Sequence, residues 1–210
     1  MKLKTFGKAA LGTLLLSSSF AASAFEDGDW LVRFGGSNVD PKSNNGDVVD
    51  VGSDTSITFT GSYMLTDAWS LELLAAWPFE HTINLKSDGS RVGSTKHLPP
   101  TFSINYHLFR NADFRPYVGV GVNYTNFFDT DTKGDLDNLG GDLDLDSSWG
   151  LAGEIGIDYE LTNDWMIGAQ VYYMDIDTDA KLKISDLGYK EKFNVSIDPW
   201  VYLITVGKKF

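Results

Sequence analysis

At 210 residues, with 29 acidic against 17 basic side chains and a formal net charge of −12, the chain has the size of one acidic domain and carries no cysteine. A disulfide framework and any thiolate metal or redox site are thereby excluded, and the negative balance speaks against nucleic acid as a partner. Beyond the first two dozen residues no apolar run reaches the roughly 18 needed for a transmembrane helix, which leaves membrane crossing by strands open.

The N-terminal stretch stands apart. Lys2, Lys4 and Lys8 give a positive start, Ala9 to Ser19 form a short apolar run, and Ala22-Ser23-Ala24 supplies the small-x-small pattern of a signal peptidase site. Residues 1–24 are therefore expected to be a cleavable secretory signal, with a mature barrel over 25–210. Loss of three lysines takes the net charge from −12 to −15.

From Phe25 onward, apolar and aromatic residues recur at every second position, the spacing of one strand face. Trp30, Val32 and Phe34 begin it, then Ile57, Phe59 and Tyr63, then Trp69, Leu71, Leu73, Ala75, Trp77 and Phe79. Phe102, Ile104, Tyr106 and Leu108 make a fourth set, and Val118, Val120, Val122 and Tyr124 a fifth. The last three are Trp149 to Tyr159, Trp165 to Tyr173, and Trp200 to Val206, ending at Phe210. The pattern predicts an all-β fold, an eight-stranded antiparallel transmembrane β-barrel.

Connections alternate between short and long. Leu65 to Trp69, Phe109 to Pro116 and Leu161 to Trp165 are tight, whereas residues 40–55, 80–97, 128–147 and 178–194 are expected to be long polar loops. That is the arrangement of an outer-membrane barrel with its termini in the periplasm. A soluble eight-stranded barrel would turn its aromatics inward. Here they lie at strand ends on the apolar face, as two girdles at the membrane interfaces would require.

Parity then gives the lumen. Near the short turns the inward residues are Arg33, Glu72, Asn105, His107, Asp158 and Lys209, charges of both signs that should pair into a plug. Toward the long loops they become Leu74, Ala76, Pro99, Ala152, Tyr172, Met174, Val201 and Leu203, an apolar cup that either holds a greasy ligand or packs as a core. Pro99 and Pro100 donate no ladder hydrogen bonds, so they either open a lateral gate in the wall or end the second loop.

Other chemistry finds little support. Counted as an EF-hand from Asp129, the acidic stretch to Asp146 places Lys133 at position five and Gly140 at position twelve, so calcium is not expected. His81, His97 and His107 lack metal-ligand spacing. Ser103 and His107, four apart on one strand, sit about 13 Å from each other, too far for a nucleophile and its base. Neither a cofactor nor an enzymatic step is expected.

Four stretches carry a resemblance: Lys96-His97-Leu98-Pro99-Pro100-Thr101, Arg115-Pro116-Tyr117-Val118-Gly119-Val120-Gly121-Val122-Asn123-Tyr124-Thr125, Tyr173-Met174-Asp175-Ile176-Asp177-Thr178 and Ile197-Asp198-Pro199-Trp200-Val201. In them the chain resembles the OmpW/AlkL family of outer-membrane proteins. Phe210 resembles the signal read by the barrel assembly machinery, although Lys208 stands where an aromatic is common. The resemblance implies a Gram-negative outer-membrane channel or binder that passes small hydrophobic molecules. Together with the prolines it leads to an expectation of passive uptake with lateral release into the bilayer. A structural or adhesive barrel working through its external loops is the alternative. Outer-membrane lipid and lipopolysaccharide, the latter touched by the acidic loop through shared divalent ions, are the expected surroundings.

Overall fold

A computed structural model of the chain describes residues 24–42, 49–109 and 112–210. Apart from Ala24, the expected signal lies outside the described residues. In chain order the strands are β1 (Trp30–Asp40), β2 (Val49–Val51), β3 (Asp54–Met64), β4 (Trp69–Ala76), β5 (Phe79–Leu85), β6 (Arg91–Leu98), β7 (Thr101–His107), β8 (Phe114–Thr132), β9 (Gly141–Leu145), β10 (Ser148–Glu160), β11 (Trp165–Met174), β12 (Asp177–Ile184), β13 (Tyr189–Ser196) and β14 (Trp200–Lys209), with one short helix at Asp135–Asn138.

Eight of these close into an antiparallel barrel in the order β1, β3, β4, β7, β8, β10, β11, β14 and back to β1. Closure removes the unpaired edges that a bilayer cannot solvate. At the seam, Trp30 and Phe210 exchange backbone hydrogen bonds of 3.0 and 2.9 Å. The outward face is the alternating apolar set, with Val120, Leu151, Ile155 and Ile204 all about two-thirds exposed, as lipid contact demands.

The girdles are built from cross-strand neighbours, which stand close enough on one sheet face for their rings to touch. Trp30 faces Tyr63 and Trp69 faces Tyr106 at the short-turn end, with centroids 5.1 and 4.8 Å apart. Tyr124–Trp149 and Tyr173–Trp200 repeat this at the other end, at 4.7 and 5.2 Å. In the turn between β10 and β11, Asn163 and Asp164 take the left-handed backbone that these residues tolerate, with φ of 57° and 63°.

The long loops differ from expectation, because much of what is described of them is strand. β5 and β6 form a hairpin that pairs with the upper half of β8, β2 pairs with β5, and β9, β12 and β13 make a separate three-stranded sheet. Their alternation reads as polar in the sequence because polar residues face solvent where lipid-facing apolar ones stand below. The acidic stretch is likewise not a free loop. Asp142 lies 3.5 Å from Lys183, and Asp144 and Asp146 both pair with Lys181, so β12 supplies the counter-charges.

Phe79 is a second correction. Expected on the lipid face beside Trp77, it is buried, whereas Trp77 is 71% exposed. Pro78 ends the β4 ladder, and the chain resumes as β5 with its inward parity moved from even to odd positions.

At the periplasmic mouth Phe25 turns into the barrel and packs with Leu31, Met64 and Met166. Its ring meets His107 edge-on at 5.2 Å, and the Arg115 guanidinium lies 4.3 Å from its centroid. Because this ring stoppers the mouth, Phe25→Ala should lower barrel stability by about 3–5 kcal/mol, the usual range for a buried phenylalanine. Urea unfolding of protein refolded into lipid vesicles would check this, and an unchanged midpoint would contradict it.

Candidate functional site

Above Phe25 the lumen is crossed by a charged layer. Arg33 from β1 is fully buried and grips Asp158 of β10 with two bonds, Nε to Oδ1 at 3.0 Å and Nη2 to Oδ2 at 2.5 Å. Its Nη1 donates to Glu72 Oε2 of β4 at 3.1 Å and to Ser62 Oγ at 2.8 Å. Ser62 donates in turn to Glu72 Oε2 at 2.6 Å, and the Tyr172 hydroxyl donates to Glu72 Oε1 at 2.7 Å. A forked guanidinium held by two carboxylates has little freedom to move.

Of the six polar residues read from parity, Arg33, Glu72 and Asp158 form this cluster directly. His107 Nε2 instead bonds Ser70 Oγ at 2.9 Å, and its Nδ1 has no protein partner, so no carboxylate orients the ring as hydrolytic catalysis would need. Asn105 is buried beside Gly119. Lys209 lies at the rim rather than in the cluster, donating to the Ala24 carbonyl at 3.2 Å and lying 3.6 Å from Asp29. Ser62, Tyr117 and Glu154 also belong to the lumen, and extending the same parity to their strands would have found them. The Tyr117 ring lies over Gly156, where a Cβ would come within 2.2 Å of it.

Above the charged layer, Leu74, Ala152, Tyr172, Met174, Val201 and Leu203 are buried in one apolar cluster with Val39, Phe79 and Phe127, and Ala76 packs at its edge. Pro99 is buried, its carbonyl accepting from Thr101 Oγ1 at 3.1 Å and Asn123 Nδ2 at 3.2 Å. Open space begins higher, in a cavity of about 780 Å3 whose walls are shared by β5, β6, the end of β8 and the β9–β12–β13 sheet. None of the eight cup residues lines it. Ile83, Phe127, Leu143, Ile176, Leu182 and Val195 are among those that do, and Asp88, Arg91 and Glu191 are exposed charged residues of its lining.

His81 and His97 also line this cavity and stack on each other, centroids 4.8 Å apart and planes 14° from parallel. His81 Nδ1 is 2.5 Å from the Gly52 carbonyl. Burial lowers both imidazoles from the ordinary value of 6.5, His97 further than His81, and the His81 ring adds to the lowering at His97. Among the described residues no group of three or more His, Asp or Glu side chains converges as metal ligands would.

Among the described residues the wall is interrupted beside the cavity floor. The β4–β7 ladder stops at Leu74 opposite Thr101, and the β5–β6 ladder resumes at Phe79 opposite His97. Pro78 stands on one side of this break and Pro99 and Pro100 on the other. Toward β8 the same segment is closed, since the Pro100 carbonyl accepts from Tyr124 N at 3.0 Å.

The model of the OmpW family matches residues 26–210. The chain is 42% identical to outer membrane protein W of Vibrio cholerae serotype O1, over the full length of both. It is 28% identical to outer membrane protein AlkL of Ectopseudomonas oleovorans, covering 90% of this chain and 84% of that one. The crystal structure of OprG from Pseudomonas aeruginosa superposes with a TM-score of 0.83 at 40% identity, covering 89% of this chain and 98% of the other. With an eight-stranded wall, two aromatic girdles and these three relatives each named as an outer-membrane protein, the chain belongs to the OmpW family and is an outer-membrane barrel of a Gram-negative bacterium.

Proposed function

We propose that this barrel takes up small hydrophobic molecules passively, without a covalent step or cofactor, receiving them in the extracellular cavity and releasing them sideways into the bilayer. One observation carries the reading: a largely apolar cavity stands over a lumen that is shut by packed side chains. A solute that withdraws about 200 Å2 from water there gains about 5 kcal/mol before the cost of immobilisation, enough for loose capture and fast release. Straight descent would require parting Arg33 from its carboxylates, and breaking such a buried pair costs about 3–5 kcal/mol. The break between Leu74–Thr101 and Phe79–His97 offers the easier route, since backbone donors are missing there and no ladder need be torn. The family resemblance implies the same class of solute, lipopolysaccharide is the outer leaflet through which the cavity opens, and recognition of Phe210 by the barrel assembly machinery belongs to the same reading. An adhesive barrel would have no use for the cavity.

Tyr172 is the link between the apolar cluster and Glu72. Tyr172→Ala should lower uptake of a hydrophobic tracer by cells several-fold, because water would follow the lost ring into the cluster. Glu72→Gln should leave uptake within about twofold and change unfolding or ion conductance instead. Pro99→Ala, which restores a backbone donor at the break, should also lower uptake while binding to the cavity persists. Tracer entry equal to that of cells lacking the protein, unmoved by any of these, would end the transport reading in favour of the adhesive one.

The two imidazoles set a pH dependence. Their folded values are lowered, so the proton is taken up more readily by the unfolded chain. The stability of the extracellular tier is therefore undiminished above about 6.5 and falls as the pH drops through the folded values. Hydrogen exchange of β5 and β6 should stay flat from pH 8 to 7 after correction for the intrinsic rate, and quicken below pH 6. Equal corrected exchange at all these values would contradict it.

A further inference from the structure

The cavity wall contains a feature that simple capture of hydrocarbon does not require. His81, His97 and Phe127 line the cavity and form a continuous run of rings with Phe79 beside them, His97 being centred 5.4 Å from Phe79 and 5.9 Å from Phe127. Two of the four rings are therefore polar, set into a wall that is otherwise mostly aliphatic and aromatic. Removing an imidazole from water without giving its nitrogens partners is unfavourable, and a hydrocarbon cargo offers nothing in return.

The hydrogen bonding fixes what is wanted. A carbonyl oxygen can only accept, so the 2.5 Å contact of His81 Nδ1 with the Gly52 carbonyl places the proton on Nδ1. His81 Nε2 is then a lone-pair acceptor, and it has no protein partner. His97 Nδ1 is also without one. Held neutral by burial and by its neighbour, His97 presents one N–H and one lone pair. The unmet need at this wall includes a hydrogen-bond donor.

Charge at the cavity narrows the choice. Among the described residues, Asp88, Asp135 and Glu191 line it against the single cation Arg91, and Asp54 lies near His81. This balance repels carboxylates, and two neutral imidazoles do nothing to hold an anion. A flat ring suits the stacked rings better than a flexible chain, because aromatic faces and edges attract one another in defined geometries. We propose that the cavity selects neutral aromatic molecules bearing a hydroxyl group, phenols and naphthols, with His81 and His97 as the residues that determine this preference. The inference rests on the uptake reading given above and names the solute class for it.

The test is equilibrium binding to the intact barrel in lipid nanodiscs, near neutral pH, of three probes of one shape: 2-naphthol, naphthalene and 2-naphthoate. 2-Naphthol should bind about tenfold tighter than naphthalene, the worth of one hydrogen bond in a dry site, with 2-naphthoate weakest. His97→Phe keeps a ring in the stack and should bring 2-naphthol and naphthalene to within about twofold of each other, with naphthalene binding retained. His81→Phe should do the same, and should either variant fail to fold, the other decides. Equal binding of 2-naphthol and naphthalene by the unaltered protein, or a preference that survives the substitutions, overturns this inference and leaves the uptake reading standing. Binding of none of the three probes overturns both.

Discussion

Arg33 is held by carboxylates from two other strands of the barrel, Asp158 of β10 and Glu72 of β4, and this grip decides what the rest of the lumen can be. Eight strands enclose little more than the width of their own side chains. A guanidinium bridging two of its walls, with Ser62 and Tyr172 bonded to Glu72, fills this level of the lumen with buried, paired groups. The charges are tolerable inside only because they are paired, and once paired they cannot readily be exchanged for a passing solute. The apolar cluster that includes Tyr172 rests directly on this paired layer.

The molecule answers that constraint with a second tier. Strands β5, β6 and β8 continue past the upper aromatic girdle, and the β9–β12–β13 sheet stands over them, so that a cavity forms outside the membrane rather than within it. Stability of this tier comes from two sources. Apolar residues such as Phe127, Ile176 and Val195 turn inward against one another, while the outer surface is laced by lysine–aspartate pairs between β9 and β12. Exposed pairs of this kind contribute little each. Their main effect is to let an acidic segment lie flat as a strand without self-repulsion.

The barrel was legible because lipid enforces a simple rule, apolar at every second position, and Trp30 through Val206 obey it wherever the chain crosses the bilayer. The polar lumen followed from the same parity, which is why Arg33, Glu72 and Asp158 were found and why Glu154 and Tyr117 could have been. Lys209 shows the limit of parity, since facing inward at a strand's last residue leads to the rim and not to the interior. The cavity was not legible. Its residues alternate too, but with polar partners on the solvent side, and such a pattern in one sequence resembles a loop. The stacking of His81 on His97 depends on the β5–β6 register, which two histidines sixteen residues apart do not announce.

Crossing from membrane to water inverts the demand on a barrel strand, since below the girdle the apolar face must point out and above it must point in. β8 meets this without a break by changing composition: Val118, Val120 and Val122 face lipid, and five residues later Phe127 faces the interior. β4 and β5 meet it by changing phase instead. Trp77 marks the headgroup level on the outside, Pro78 interrupts the ladder, and Phe79 enters on the opposite parity. An inversion by phase cannot be made without unpaired backbone, so a break in the wall follows from that solution. It falls where the inside has just become apolar and the outside is ceasing to be so, at the headgroup level that Trp77 marks.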